Sequence, residues 1–253
     1  MKLDPTSGYK YLPKLSVVTI VFNGRKEIAG TIDSVLAQDY QNIEYIVVDG
    51  QSTDGTSDII LQYTDRLNIF ICECDEGIYD AMNKAIIRAS GEFILFMNCG
   101  DTFASTVAAS SAMNFVQSGV EQIVFGCWLR RISNESLLHC RPVLEKGLFN
   151  HQAVIYSRSI HAWHGSYVNV KGLTTADYLF FATLFDSSKV ICRLIDTTLA
   201  IIDVNGLSAG PQTLSQKYTI DYLCGRVSKA RLLLVLAAHP LYLRAKALLR
   251  WTH

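Results

Sequence analysis

An open α/β sheet, mostly parallel and flanked by helices, is the fold class that this sequence predicts, and three observations predict it. Short β-branched apolar runs alternate with helical 3.6-residue stripes through roughly the first 100 positions. Polar, carboxylate-rich clusters stand where those runs end. Finally, 49% of the 253 residues are hydrophobic, with only 16 Gly and 5 Pro, which excludes a disordered or linker-rich chain. A repeating strand, helix, strand order means parallel pairing through right-handed crossovers, and such crossovers cover both sheet faces with helices.

Taken in order, Leu15 to Phe22 is long enough for a buried strand and too short for a helix. Ile28, Ile32, Val35 and Leu36 then recur at helical spacing. Ile43 to Val48 is a second strand that stops at Asp49-Gly50, and Ser52-Thr53-Asp54 offers N-caps for a stripe of Ile59, Ile60 and Tyr63. Leu67 to Cys72 is a third strand. Ile78, Ala81, Met82, Ala85, Ile86 and Ala89 form a helix face, and Phe93 to Met97 a fourth strand. Beyond Asp101 the rhythm loosens: a helix over 105–117, a strand over 122–129, shorter strands, a helix over 174–185, strands near 190–195 and 199–204, and two closing helices. These spans predict one catalytic domain over 1–205, in halves of about 14–101 and 102–205, followed by a glycine-containing loop and amphipathic helices over 206–253.

Composition narrows the function. The 23 basic and 23 acidic side chains cancel, which argues against nucleic acid as a partner. Seven cysteines without a C-x-x-C pair predict neither a disulfide framework nor a zinc site, and fit a reducing cytoplasm. Met1 to Lys14 lacks the apolar stretch of a secretory signal. Leu232 to Ala238, stopped by His239-Pro240, falls far short of the roughly 20 residues that span a bilayer. Neither G-x-G-x-x-G nor G-x-x-x-x-G-K-[ST] occurs, so a dehydrogenase or P-loop ATPase is not expected.

Ligands of open α/β sheets bind beyond the carboxyl ends of the strands. Those ends carry Asn23-Gly24-Arg25, Asp49 to Asp54, Asp75-Glu76-Gly77 and Asn98 to Asp101. Five segments in sequence, Ser16 to Asn23, Ser34 to Gln38, Ile46 to Thr56, Asp75 to Lys84 and Gly91 to Asp101, resemble family 2 of the glycosyltransferases. The similarity is to the branch that builds bacterial capsule, exopolysaccharide and O-antigen units, including colanic-acid-type enzymes. It implies a GT-A fold, a nucleotide-sugar donor held by the first half of the domain, an acceptor held by the second, and inversion at the anomeric carbon.

The resemblance also implies roles for single residues. Thr19, Phe22, Asn23, Asp49, Asp80, Lys84 and Asn98 would line the donor. A carboxylate such as Asp49 can accept a uracil N–H; alternatively Asp49 ties down its turn, and Asp54 is read as a helix cap. Asp80 and Lys84, four apart on one helix, are either donor contacts at a phosphate-favouring N-terminus or a surface ion pair. Asn98-Cys99-Gly100-Asp101 takes the place of the family's D-x-D, leaving Asp101 as ligand for weakly bound Mg²⁺ or Mn²⁺.

Inverting transfer needs a carboxylate to take the acceptor's proton. Asp177, in Thr174-Thr-Ala-Asp-Tyr, resembles that base, with Asp186 and Asp203 as rivals and a plain helix-start carboxylate as the alternative. His151 and Gln152 match an H-Q segment near acceptor or metal, and Ser208 lies in a glycine-rich loop, Asn205 to Gly210, that is either donor-facing or only a loop. His161 and His164 read as a surface feature. From Lys217 onward stand seven basic residues (Lys217, Arg226, Lys229, Arg231, Arg244, Lys246, Arg250) against one acid, Asp221. With the leucines from Leu232 to Leu249, they predict either contact with an anionic membrane face or packing on the catalytic domain.

The expected activity is therefore an inverting transfer from a UDP-sugar to a glycan acceptor on a polyprenyl diphosphate, at the cytoplasmic face of the inner membrane. A catalytically silent nucleotide-sugar-binding protein and a nucleotidyltransferase are the alternatives.

Overall fold

A computed structural model describes residues 11–133, 136–203 and 212–238. In its first half β1 (Leu15–Val21), β2 (Ile43–Asp49), β3 (Ile69–Cys72) and β4 (Phe93–Phe96) alternate with α1 (Ile28–Leu36), α2 (Thr56–Leu61) and α3 (Ile78–Arg88). These four strands pair in parallel in the order β3-β2-β1-β4. Successive residues of β1 point to opposite faces. Val17 and Val21 meet Ile28 and Ile32 of α1, whereas Val18 and Ile20 join the cluster of Met82 and Ala85 of α3. Both faces of the strand are thus buried, and so it reads as one continuous apolar run.

The second half adds β5 (Thr102–Phe103), α4 (Ala108–Met113), β6 (Gln122–Arg131), β7 (Leu137–Cys140), β8 (Val154–Ser157), α5 (Ile160–His164), α6 (Ala176–Ala182), β9 (Ile191–Ile202) and α7 (Thr213–Leu223). The sheet continues β4-β8-β6-β9-β5, with β7 on β6. Here it becomes mixed, because β8 runs antiparallel to both β4 and β6 while β6 and β9 are parallel.

Three elements differ from the sequence expectation. The helix expected over 105–117 is helical only from Ala108 to Met113, since the following residues close as turns. That expected over 174–185 starts at Ala176, because the hydroxyls of Thr174 and Thr175 donate to Gln216 Oε1 and stay outside it. The two strands near 190–195 and 199–204 are the single strand β9. The polar Asp196-Thr197-Thr198 that reads as a break is a register shift against Phe125 to Trp128. Gly126 lies within that shift, where a Cβ would meet Leu199 Cδ1 at 2.7 Å and Thr197 O at 2.9 Å.

The tail is not a separate layer at its start. Tyr178 of α6 donates to Asp221 of α7 at 2.5 Å, and Lys217 Nζ lies 2.9 Å from the same carboxylate. Arg226 donates to Ala182 O, is ion-paired with Asp221 and Asp186, and stacks on Phe185. A last helix follows over 229–238. Among the described residues no helix is long and apolar enough to cross a membrane.

Candidate active site

The carboxyl edge of the parallel strands is held by bonds between its loops. Asn23, at a positive φ of 54°, receives Thr53 N–H on its side-chain oxygen at 2.8 Å and gives its own N–H to Ser52 Oγ at 2.7 Å. Asp54 accepts from Arg25 N at 3.0 Å and from Thr56 N at 3.0 Å, so it fastens the start of α2 to the loop after β1.

Asp49 is fully buried and accepts from Ser52 N, Ser52 Oγ and Ser57 Oγ. Its carboxylate is turned inward and ties the loop after β2 to the start of α2. Thr19 is turned inward as well. It is buried within the sheet, where its hydroxyl donates to Met97 O at 2.8 Å beside Tyr45.

What the edge does present is Phe22, 64% exposed, and the half-buried carboxylate of Asp75, which accepts from Gly77 N at 3.0 Å. A Cβ on Gly50 would fall 2.3 Å from Asp75 Oδ2 and 3.3 Å from Phe22 Cδ2. The missing side chain at position 50 is therefore what lets ring and carboxylate approach over the same strand end. Lys84 lies 3.1 Å from Asp80 and 3.4 Å from Glu73, and donates to Cys74 O at 2.6 Å. In this state it is the ion pair, with Asp80 also accepting from Glu76 N.

Two further carboxylates come together through a short 3₁₀ turn over His151–Ala153, itself capped when Asn150 accepts from Gln152 N. Gln152 Nε2 donates to Asp101 Oδ2 at 2.8 Å, and Asp203 N–H reaches Asp101 Oδ1 at 3.3 Å. The neighbouring His151 places Nδ1 3.8 Å from Asp177 Oδ2, and Tyr79, at the start of α3, donates to Asp177 Oδ1 at 2.8 Å.

These carboxylates differ in setting. Asp101 is 8% exposed, and burial pushes its carboxyl up to about 7 against the hydrogen bonds from Asp203 and Gln152. The Asp177 side chain, 24% exposed, opens to solvent from the first turn of α6.

The Asn98 to Asp101 turn fits a hard divalent cation. Asn98 Oδ1 is buried with no hydrogen-bond partner among the described residues, and a nearby positive charge would relieve the desolvated Asp101. No cluster of three or more His, Cys, Asp or Glu is available among those residues, so oxygen atoms of a ligand would have to complete the shell.

Of the rival bases, Asp203 stands beside Asp101 and Asp186 is an exposed partner of Arg226. Ser208 lies outside the described residues. His161 is not a surface feature, because its ring bonds the buried Tyr156 at 3.0 Å. Asp75 and Tyr79 are the site residues that sequence reading passed over. Asp75 opens a quoted motif, and the apolar stripe of α3 hides Tyr79.

Residues 16–166 match the model of glycosyl transferase family 2. A PGL/p-HBAD biosynthesis glycosyltransferase of Mycobacterium bovis (strain BCG / Pasteur 1173P2) is 26% identical over 195 residues, 74% of this chain and 76% of that protein. Among solved structures, S. aureus TarS 1–349 in complex with UDP-GlcNAc superposes with a TM-score of 0.68 at 19% identity, covering 87% of this chain and 69% of that one. The mannosyltransferase PcManGT from Pyrobaculum calidifontis, in complex with GDP-Man and Mn²⁺, gives 0.67 at 18% identity over 90% and 67%. At these identities the structural likeness concerns the GT-A fold alone.

Proposed function

The chain belongs to glycosyl transferase family 2, and we propose that it performs an inverting transfer of one sugar from a UDP-sugar to a glycan acceptor carried on a polyprenyl diphosphate, in the assembly of a capsule-type or exopolysaccharide surface glycan. The observation that carries this reading is that consecutive side chains, Gln152 and His151, face Asp101 and Asp177. One carboxylate is buried and suited to a cation beside a diphosphate; the other is open and suited to a proton.

The donor's base would lie on the exposed ring of Phe22 over Gly50, with Asp75 accepting its N–H. Its diphosphate would face the N-terminus of α3, a helix end that favours anions. Asp101 and Asn98 would hold Mg²⁺ or Mn²⁺, and a bound cation of this kind offsets negative charge on the leaving diphosphate. One carboxylate makes that cation weakly held. Asp177 takes the proton of the acceptor hydroxyl as the oxygen attacks the anomeric carbon in line, while Tyr79 fixes the orientation of the carboxylate.

The acceptor's lipid carrier suits the helical tail that packs on α6. Leu223, Leu233 and Leu234 are 73%, 54% and 70% exposed, and Lys229 and Arg231 stand in the same helical tail. An anionic membrane at the cytoplasmic face is the surface that such a mixture prefers. The reading is supported by a relative named for PGL/p-HBAD biosynthesis and by structures holding UDP-GlcNAc or GDP-Man.

A thermal-shift screen of UDP-, GDP- and dTDP-sugars with and without Mn²⁺ tests it, because a ligand of the native state raises the melting temperature. A Mn²⁺-dependent rise with a UDP-sugar, lost in Asp101→Ala, is expected. No rise with any nucleotide sugar would reject the donor assignment.

A further inference from the structure

Behind Asp177 runs a buried line of polar rings that group transfer does not itself require. His161 Nδ1 lies 2.8 Å from Gly165 O. A carbonyl only accepts, so Nδ1 carries the ring proton. Burial lowers the His161 pKa to about 4, which keeps the ring neutral and Nε2 bare. The Tyr156 hydroxyl, 3.0 Å away, therefore donates to that nitrogen. Tyr156 oxygen is left to accept from the Tyr167 hydroxyl at 3.1 Å, and Tyr167 oxygen accepts from His151 Nε2 at 3.2 Å. Reversing the last two bonds would leave the contact between the tyrosines with no proton in it. Tyr156, Tyr167 and His151 are 0%, 3% and 5% exposed, and an unmade bond at such depth is costly.

We infer that Tyr167, Tyr156 and His161 fix the tautomer of His151, with its proton on Nε2 and a bare Nδ1 toward Asp177, so that His151 accepts a hydrogen bond from Asp177 once that carboxylate has taken the acceptor's proton. The inference rests on Asp177 as the base. In the step the acceptor O–H bond breaks and its oxygen forms the bond to the anomeric carbon. The electron pair of the sugar–diphosphate bond leaves with the nucleotide, and the proton comes to Asp177 Oδ2, facing Nδ1. The present separation of 3.8 Å closes to form that bond, as catalytic hydrogen bonds tighten when substrate is bound. The opposite tautomer would aim an N–H at Asp177 and favour the carboxylate over its protonated form. All four residues act through Asp177 and are positioning residues.

Long-range ¹H–¹⁵N spectra of the full chain labelled at histidine, near neutral pH, separate bare from proton-bearing ring nitrogens; His151→Gln and His161→Gln assign the signals. The wild type should show His151 bare at Nδ1 and His161 bare at Nε2. In Asp177→Asn the amide N–H stands in for the protonated carboxyl, and the His151 Nδ1 signal should shift upfield as an accepting lone pair does. In Tyr156→Phe, Tyr167 loses its acceptor and turns to His151 Nε2, so the proton should move to Nδ1. A wild-type His151 protonated on Nδ1, or a tautomer unchanged in Tyr156→Phe, overturns the inference. If Tyr156→Phe does not fold, the wild-type tautomer and the Asp177→Asn shift decide. Full turnover in Asp177→Asn would instead reject the base and leave the tautomer result standing.

Discussion

Asp177 and Asp101 are the same residue type in unlike settings, and substituting them should have unlike effects. Asp177→Asn keeps shape and cannot take a proton at neutral pH, so donor binding should persist while kcat falls by about 10²–10⁴. Titration calorimetry beside steady-state turnover checks this, and lost donor affinity would make Asp177 a binding residue. Gly50→Ala should do the reverse. Its Cβ displaces the Asp75 carboxylate, the far end of a flexible side chain, so donor affinity should drop while the melting temperature stays near wild type. Each of Asp101, His151, Gln152 and Asp177 is visible in the sequence through its motif. Their pairing is not, because the bonds span 51 residues for Gln152 to Asp101 and 98 for Tyr79 to Asp177. The inward turn of Asp49 is one of two readings that the sequence leaves open, and the bonds from Ser52 and Ser57 give it its form.

Elements hold these residues through buried charges. Glu44, at the start of β2, accepts from Ser16 Oγ, Ser90 N and Ser90 Oγ with Lys14 at 3.4 Å. Burial alone would raise its pKa, but those bonds prevail and lower it to about 2. A folded-state pKa below the unfolded value means stability that is present above about pH 4 and lost as pH falls toward 2, on the order of 3 kcal/mol. Glu44→Gln should therefore be less stable at neutral pH and show a flatter acid limb in melting temperature against pH; parallel limbs would refute this.

On α7, Asp221 is 5% exposed between Tyr178, Lys217 and Arg226. Removing one partner from such a cluster costs about 3–5 kcal/mol, so Asp221→Ala should lose that much in urea unfolding. The loosened α6 carries Asp177, so turnover should fall as well. The first seven elements, through β4, follow from periodicity because both faces of each strand are apolar or each helix is striped. Later elements are harder to read, since antiparallel strands, a register shift and hydroxyls that bond Gln216 leave no regular pattern.

At the scale of the molecule, the basic tail divides at residue 228. Arg226 is fastened to α6 and Leu232 is 9% exposed, yet Leu233, Leu234 and Leu236 lie open. Ending the chain at Ser228 should abolish co-sedimentation with phosphatidylglycerol vesicles, leaving nucleotide-sugar binding intact and lowering the melting temperature only modestly. Unchanged vesicle binding would remove the membrane role.

The separation between Asp101 and Gln152 has a further consequence during synthesis. The strand ends that would grip a nucleotide sugar all leave the ribosome before residue 151, whereas Asp177 and its histidine follow only with the antiparallel half. Under the proposed function, the residues of the donor edge are thus synthesised well before the base, and chains grow at about 5–20 residues per second. A truncated copy that still bound nucleotide sugar would act as a competitor for donor rather than as a leaky hydrolase.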